Sequence, residues 1–250
     1  MITVSLRFYE ELNDFLPQAR RKIRFQRQLP YPTSAKDLIE SCGVPHPEVD
    51  LVLVNGESVD FGFRVSDGDN VSVYPVFESF DISGVTMLQE RPLRHLQFAA
   101  DTNLGKLARK MRLLGFDVAF FKEAAKNDII QSVLSDKRVI LSTDRRLLMR
   151  KEVQRGYCVR SDDANHQTLE VVRRFDLANH ITPFTRCPHC NGAVEPVDKA
   201  EVLECLEPKT KAFYDDFTRC TECKKIYWEG SHTERLRAFI GWIKEELASA

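Results

Sequence analysis

The chain has 250 residues, of which 43% are hydrophobic and 29% charged, and a formal net charge of −1. That is the composition of a folded globular chain of one to three domains, and it excludes a disordered polyelectrolyte. No apolar run approaches the ~20 residues that span a bilayer, and the opening MITVSLRFYEELNDFL lacks a basic segment followed by a long apolar one, so the sequence predicts a cytoplasmic protein with no membrane partner.

Residues 2–8, ITVSLRF, alternate as a strand; EELNDFLP breaks the pattern and RKIRFQRQLP resumes it. TSAKDLIESCG reads as a short helix with Ser34 as its N-cap and Gly43 as its stop. Two more strand segments follow, DLVLVNGESV with the hairpin signal Asn55-Gly56, and DNVSVYPVFE after the turn SDGD. The order β-β-α-β-β, with VLVNGESVDFGFRVSDGDNVSVYPVF, resembles the ubiquitin-like sulfur-carrier family. Members that carry sulfur end in a Gly-Gly tail. Here the last strand runs into PVFESFDISG, so the resemblance implies the β-grasp fold and a docking or stabilising role, not carrier chemistry.

Residues 81–93 read as a linker containing Pro92. Beyond it, strand and helix patterns alternate: HLQFAA, then NLGKLARKMRLLG with Leu104, Leu107, Ala108, Met111 and Leu114 at helical spacing and Gly115 closing it. FDVAFF is a strand and NDIIQSVLSD a helix capped by Asn127. RVILST is a strand, RRLLMRKEVQRG a helix ending at Gly156, YCVRS a strand and HQTLEVVRRFDL a helix. Such alternation predicts a parallel α/β sheet with right-handed crossovers. TERLRAFIGWIKEEL reads as a C-terminal amphipathic helix.

The near-neutral total conceals a basic centre. Residues 101–160 hold 14 Lys and Arg against 7 Asp and Glu, net +7, whereas residues 1–80 and 161–250 each stand at −4. A basic block steers polyanions, although the same charges also serve as solvated helix faces.

Ligands of a parallel sheet bind beyond the carboxyl ends of its strands. Asp101 follows the first central strand, Asp128 opens the helix after the second, Asp144 follows RVILST, and Asp162 and Asp163 follow YCVRS. Carboxylates gathered on one edge suit a hard divalent cation, Mg²⁺ or Mn²⁺. Lys106, Arg109, Arg145 and Arg146 stand nearby as candidate phosphate contacts. Asp101, Asp128 and Asp144 also read as ordinary N-caps at strand-to-helix junctions, and Asp162 and Asp163 as ordinary loop acids.

FAADTNLGKLARKMRLLGFDV, then NDIIQ, VILSTDRRLL, TRCPHCNG and KIYWEGSH together resemble the Mut-seven C-terminal RNase domain family, a PIN-like nuclease domain fused to a zinc ribbon, over residues 96 to about 240. An N-terminal ubiquitin-like domain is a companion of this family in bacteria. The resemblance implies metal-dependent cleavage of RNA by Asp101, Asp128 and Asp144, with Asp101 and Asp144 on the metal. The family's Thr-Arg-Asp is here Ser142-Thr143-Asp144; the arginine is missing before the acid, although Arg145 and Arg146 follow it.

Seven cysteines are an odd number, and four of them form two close pairs, Cys187/Cys190 and Cys220/Cys223, separated by 29 residues. C-x₂-C twice is the pattern of a closed four-thiolate zinc site, structural because no ligand position stays open. Cys42 and Cys158 read as core cysteines, Cys205 has no partner at ligand spacing, and His189 and His232 are not needed as ligands. Tyr227 and Trp228 read as ribbon core or as base-stacking groups.

The sequence thus predicts an α/β chain: a ubiquitin-like β-grasp domain over 1–80, a linker over 81–93, a PIN-like nuclease domain over 94–180, and a zinc ribbon with a C-terminal helix over 181–250. Its expected function is a metal-dependent ribonuclease acting on RNA, tRNA-like RNA included, with structural zinc, catalytic magnesium or manganese, and a protein partner for the ubiquitin-like domain. The alternative is a non-catalytic RNA-binding adaptor whose acids are caps. A sulfur-transfer partner is disfavoured by the absent Gly-Gly tail.

Overall fold

The computed structural model describes residues 1–76, 84–88, 96–121, 130–131 and 136–249. Most of the expected helix over NDIIQSVLSD and most of the expected linker lie outside them.

The N-terminal sheet is built from β1 (Ile2–Phe8), β2 (Phe25–Leu29), β3 (Val49–Val54), β4 (Glu57–Ser58) and β5 (Asn70–Pro75) in the order β2-β1-β5-β3-β4. The central pair β1 and β5 is parallel and the other pairs are antiparallel. Period-two alternation puts Val4, Leu6 and Phe8 on one face, where each is at most 1% exposed. Helix α1 (Ala35–Glu40) covers that face with Ala35, Leu38 and Ile39; Ser34 caps it, its hydroxyl accepting from Asp37 N at 3.0 Å. This is the β-grasp. Asn55 and Gly56 have φ of +54° and +93°, the two left-handed positions of a tight hairpin turn. Asn55 also accepts from Asn70 N and donates to Asp69, so the VNG and DGD motifs hold each other.

Two parallel strand pairs follow. Strand β6 (Phe98–Ala100) leads through a 3-10 turn at Thr102–Leu104 and α2 (Gly105–Leu113) to β7 (Val118–Phe120), in register Phe98↔Val118. Strand β8 (Val139–Ser142) leads through α3 (Arg145–Leu148) to β9 (Gly156–Cys158), in register Ile140↔Gly156. Helix α3 is shorter than the periodicity of RRLLMRKEVQRG suggests, and Gly156 opens a strand instead of closing a helix. A Cβ at Gly156 would stand 2.7 Å from Leu148 Cδ2, so the glycine serves close packing of β9 against α3.

Helix α4 (Ala164–Arg174) follows, capped by Asp163. The C-terminal ribbon comprises β10 (Val194–Val197), α5 (Lys199–Val202), α6 (Pro208–Phe213), β11 (Phe217–Cys220) and β12 (Ile226–Trp228), an antiparallel sheet in the order β10-β11-β12. Its small core is Val202, Leu206 and Phe217. Helix α7 (Ser231–Ala248) ends the fold.

The chain divides into two compact units that alternate along the sequence: residues 1–96 with 125–158, and residues 97–124 with 159–250. In the second unit, the predicted face of α2 is the buried one: Leu104, Leu107, Ala108, Met111 and Leu114 are each at most 1% exposed. Helix α2 packs on α4, α4 on α7, and Lys110 sets its ammonium 3.9 Å from the centre of the Phe239 ring. No helix among the described residues is long and apolar enough to cross a membrane.

Candidate functional site

The ribbon gathers Cys187, Cys190, Cys220 and Cys223 so that their sulfurs all lie within 4.8 Å of one another. Among the described residues it is the only set of three or more His, Cys, Asp or Glu side chains placed to hold one metal ion. The short separations are 3.7 Å for Cys187–Cys223 and 3.4 Å for Cys190–Cys220. Four sulfurs around zinc at ~2.3 Å stand about 3.8 Å apart, so the set fits a tetrahedral ion. None of the four is in a disulfide.

Local chemistry explains the arrangement. Each pair brackets a tight turn. In the first, Asn191 takes φ +77°, and at Gly192 a Cβ would meet Glu222 Cγ at 2.4 Å and Cys220 Sγ at 3.1 Å. Burial works against ionising Cys187, but the Tyr227 hydroxyl 2.9 Å away and the backbone N–H groups of Cys190 and His189 reverse it and bring the thiol down to about 6. Burial, and after it the neighbouring thiols, push Cys223 up to about 12; burial also raises Cys220. Burial first and then Cys187 raise the Tyr227 phenol, which stays a donor. A thiol lowered beside two that burial raises is the state a divalent metal resolves, because binding deprotonates the ligand cysteines.

The first knuckle is tied to the corner between α2 and β7. Arg112, 4% exposed, donates to Val118 O at 2.8 Å, Pro188 O at 3.3 Å and His189 O at 2.9 Å. Burial lowers its pKa, while Cys190, Cys187 and Asp117 oppose that. Asn191 accepts from Val118 N at 3.0 Å and donates to Asp117 at 2.8 Å, and Arg186 pairs with Asp117 at 3.3 Å. Gly115, at φ +99°, lets the chain turn beside Thr182, where a Cβ would approach Thr182 O to 2.3 Å. Thr182 and Phe184 donate to the carbonyls of Leu114 and Leu113 at the end of α2.

Two of the predicted acids, Asp101 and Asp144, fall just beyond strand ends. Asp101 directly follows β6, is 4% exposed, and accepts from Asn103 N at 2.9 Å. Asp144 follows β8 by two residues, accepts from Arg146 N at 2.9 Å, and donates its own backbone N–H to Ser142 Oγ at 2.9 Å. Asp101 belongs to the second compact unit and Asp144 to the first. Asp128 lies outside the described residues. Asp162 is exposed, and Asp163 spends Oδ1 on Asn165 N and His166 N.

Of the predicted phosphate contacts, Lys106 and Arg109 are exposed on α2, and Arg146 is exposed on α3. Arg145 is also exposed, yet it donates to Phe15 O at 3.3 Å and lies 4.8 Å over the Phe15 ring. The Tyr227 hydroxyl stands 2.9 Å from a ligand sulfur, a contact that neither the core nor the stacking reading anticipated; Trp228 is 40% exposed. Cys158 is buried as expected, Cys42 is half-buried beside Arg27, and Cys205 is exposed. Sequence reasoning missed Arg112 and Asn191. Asn191 carries a local signal, following the second cysteine of its knuckle; Arg112 carries none.

A β-grasp sheet, parallel β-α-β pairs and a four-cysteine ribbon define a mixed α/β protein with a ubiquitin-like domain. The chain belongs to the Mut7-C RNAse domain family, whose model matches residues 96–240, and residues 1–81 match the Mut7-C ubiquitin model. Among solved structures it is similar to SAMP1 from Haloferax volcanii, at 15% identity and a TM-score of 0.25, with 31% of this chain and 99% of that chain covered. No curated protein matches it.

Proposed function

We propose that the chain is a ribonuclease that hydrolyses RNA phosphodiester bonds, tRNA-like substrates included, with Asp101, Asp128 and Asp144 as the acidic ligands of Mg²⁺ or Mn²⁺. The observation that carries this reading is that two acids, Asp101 and Asp144, each close a strand of a parallel pair in a chain of an RNase-domain family. Carboxylate oxygens are the donors a hard cation takes, and the ion would supply a nucleophilic water and charge neutralisation at the phosphate. The chain's own cations have separate work: Lys106, Arg109 and Arg146 are exposed to meet the RNA backbone. In this reading residues 1–80 dock, 94–180 cleave, and 181–250 hold structural zinc, in a cytoplasmic protein.

The test is cleavage of labelled single-stranded RNA and tRNA with Mn²⁺ by wild type, Asp101→Asn and Asp144→Asn, with zinc content and melting checked in each. Loss in both variants with both checks intact supports the nuclease. A second reading has its own support: Asp101 and Asp144 both act as caps, on Asn103 N and Arg146 N. A non-catalytic RNA-binding adaptor predicts no wild-type cleavage and RNA binding unchanged by EDTA or by either substitution.

A further inference from the structure

Helix α3 has four residues, too few to hold itself in water. It nevertheless carries Asp144 at its cap. What fixes it lies within the first compact unit, and it comes from the ubiquitin-like part of the chain.

Three attachments reach the segment 145–158. Glu48, on the 3-10 turn His46–Glu48 and 0% exposed, accepts from the backbone N–H of Cys158 at 2.5 Å. His46, 6% exposed, sets Nε2 at 2.7 Å from Val153 O and Nδ1 at 2.7 Å from Glu40 Oε1. A carbonyl oxygen only accepts, so Nε2 is the donor to Val153. The Phe61 ring meets His46 edge-on at 5.6 Å and keeps the imidazole in place. At the other end, Arg145 donates to Phe15 O and covers the Phe15 ring. Gly43, at φ +91°, turns the chain beside this contact.

Two of these bonds take backbone atoms, Val153 O and Cys158 N, so they grip the path of the chain whatever its side chains. A carboxylate as buried as Glu48 is retained only where it is well bonded. The gripped stretch starts at the residue after Asp144 and ends where β9 ends. On the other side, Ser142 Oγ holds Asp144 N.

We infer that the ubiquitin-like domain is a clamp built into the chain, in which Glu48 and His46 are positioning residues that fix the Asp144-bearing segment 144–158. The inference rests on the nuclease reading for its catalytic half and on hydrogen bonding alone for its structural half. It also assigns the face of the β-grasp made by Phe15, Glu40, Gly43 and the 46–48 turn to use within the chain. An outside partner of this domain would bind elsewhere on it.

The experiment uses the full chain with zinc bound. Hydrogen–deuterium exchange of peptides covering 144–158 is compared among wild type, Glu48→Ala and Glu48→Gln, with RNA cleavage followed at varied substrate. Losing a charge-assisted bond of this kind is expected to speed exchange in 144–158 about tenfold or more, while residues 2–29 and zinc content stay as in wild type. kcat falls about tenfold with KM unchanged, and Glu48→Gln, which keeps an acceptor, recovers most of both. Should Glu48→Ala not fold, His46→Ala takes its place and is read the same way. Unchanged exchange in 144–158 overturns the clamp. Faster exchange with unchanged kcat overturns the positioning role. A wild type that cleaves nothing rejects the nuclease reading, and the exchange comparison still decides the clamp.

Discussion

Arg112→Met is the sharpest probe of how the ribbon is fastened. The substitution keeps a flexible apolar stem and removes the donors to Val118 O, Pro188 O and His189 O, at 2.8, 3.3 and 2.9 Å. Each charge-assisted bond is worth about 1.5–3 kcal/mol. Burying a guanidinium costs several kcal/mol, which methionine recovers, but three carbonyls then lose their partner. The net loss is about 3 kcal/mol, at the lower edge of what breaking a buried charged contact costs. For a chain of this size that lowers Tm by roughly 6–12 °C, at about 2–4 °C per kcal/mol. Both tryptophans, Trp228 and Trp242, lie in the second compact unit, so their fluorescence on heating reports the unit that holds Arg112. Competition with a coloured chelator measures zinc retention, expected to weaken about tenfold as for other groups that orient metal ligands. A Tm within about 2 °C of wild type together with unchanged zinc retention would refute the reasoning. Water would then serve the three carbonyls as well as the arginine does.

Two further outcomes follow from single contacts. Tyr227→Phe removes the hydroxyl 2.9 Å from Cys187 Sγ; zinc affinity should fall roughly 10–100-fold with the fold retained, and equal affinity by chelator competition would show the phenol is mere packing. Asp163 caps α4, and the backbone N–H of His166, then that of Asn165, hold its carboxyl below the usual range. A depressed carboxyl stabilises above its unfolded pKa, and the contribution fades as pH falls through the depressed folded value. Asp163→Ala should therefore lower Tm at neutral pH and approach wild type in acid; a Tm gap that is constant with pH would deny the carboxylate its role.

What was legible in the sequence was local. Val4, Leu6 and Phe8 alternate, the face of α2 repeats at helical spacing, Asn55-Gly56 spells its turn, and two C-x₂-C pairs spell a knuckle each. The strand-end positions of Asp101 and Asp144 could likewise be read from the order of elements. What could not be read was long-range. Arg112 looks like any helix arginine until residues 188 and 189 arrive at its guanidinium. Glu48 looks like a surface acid in a proline-rich turn, yet its partner is 110 residues away. Helix α3 was overextended because LLMRKEV keeps an apolar rhythm past Leu148, where Val153 instead packs within 3.4 Å of the Cβ position of Gly156. Periodicity records which residues are apolar but not what they pack against.

The alternation of the two compact units along the chain bears on how the protein is made. Residues 1–96 can begin to fold as they leave the ribosome, but their unit also needs residues 125–158. Residues 97–124 emerge in between and belong with 159–250, so α2 leaves the tunnel with Leu107 and Met111 bare and no α4 to cover them. At ~5–20 residues per second, the 61 residues from Leu113 to Arg174, which complete α4, take about 3–12 s to synthesise. For that time the face of α2 that the folded unit buries has no α4 to pack on, so the second unit closes only after the 125–158 insertion has been made.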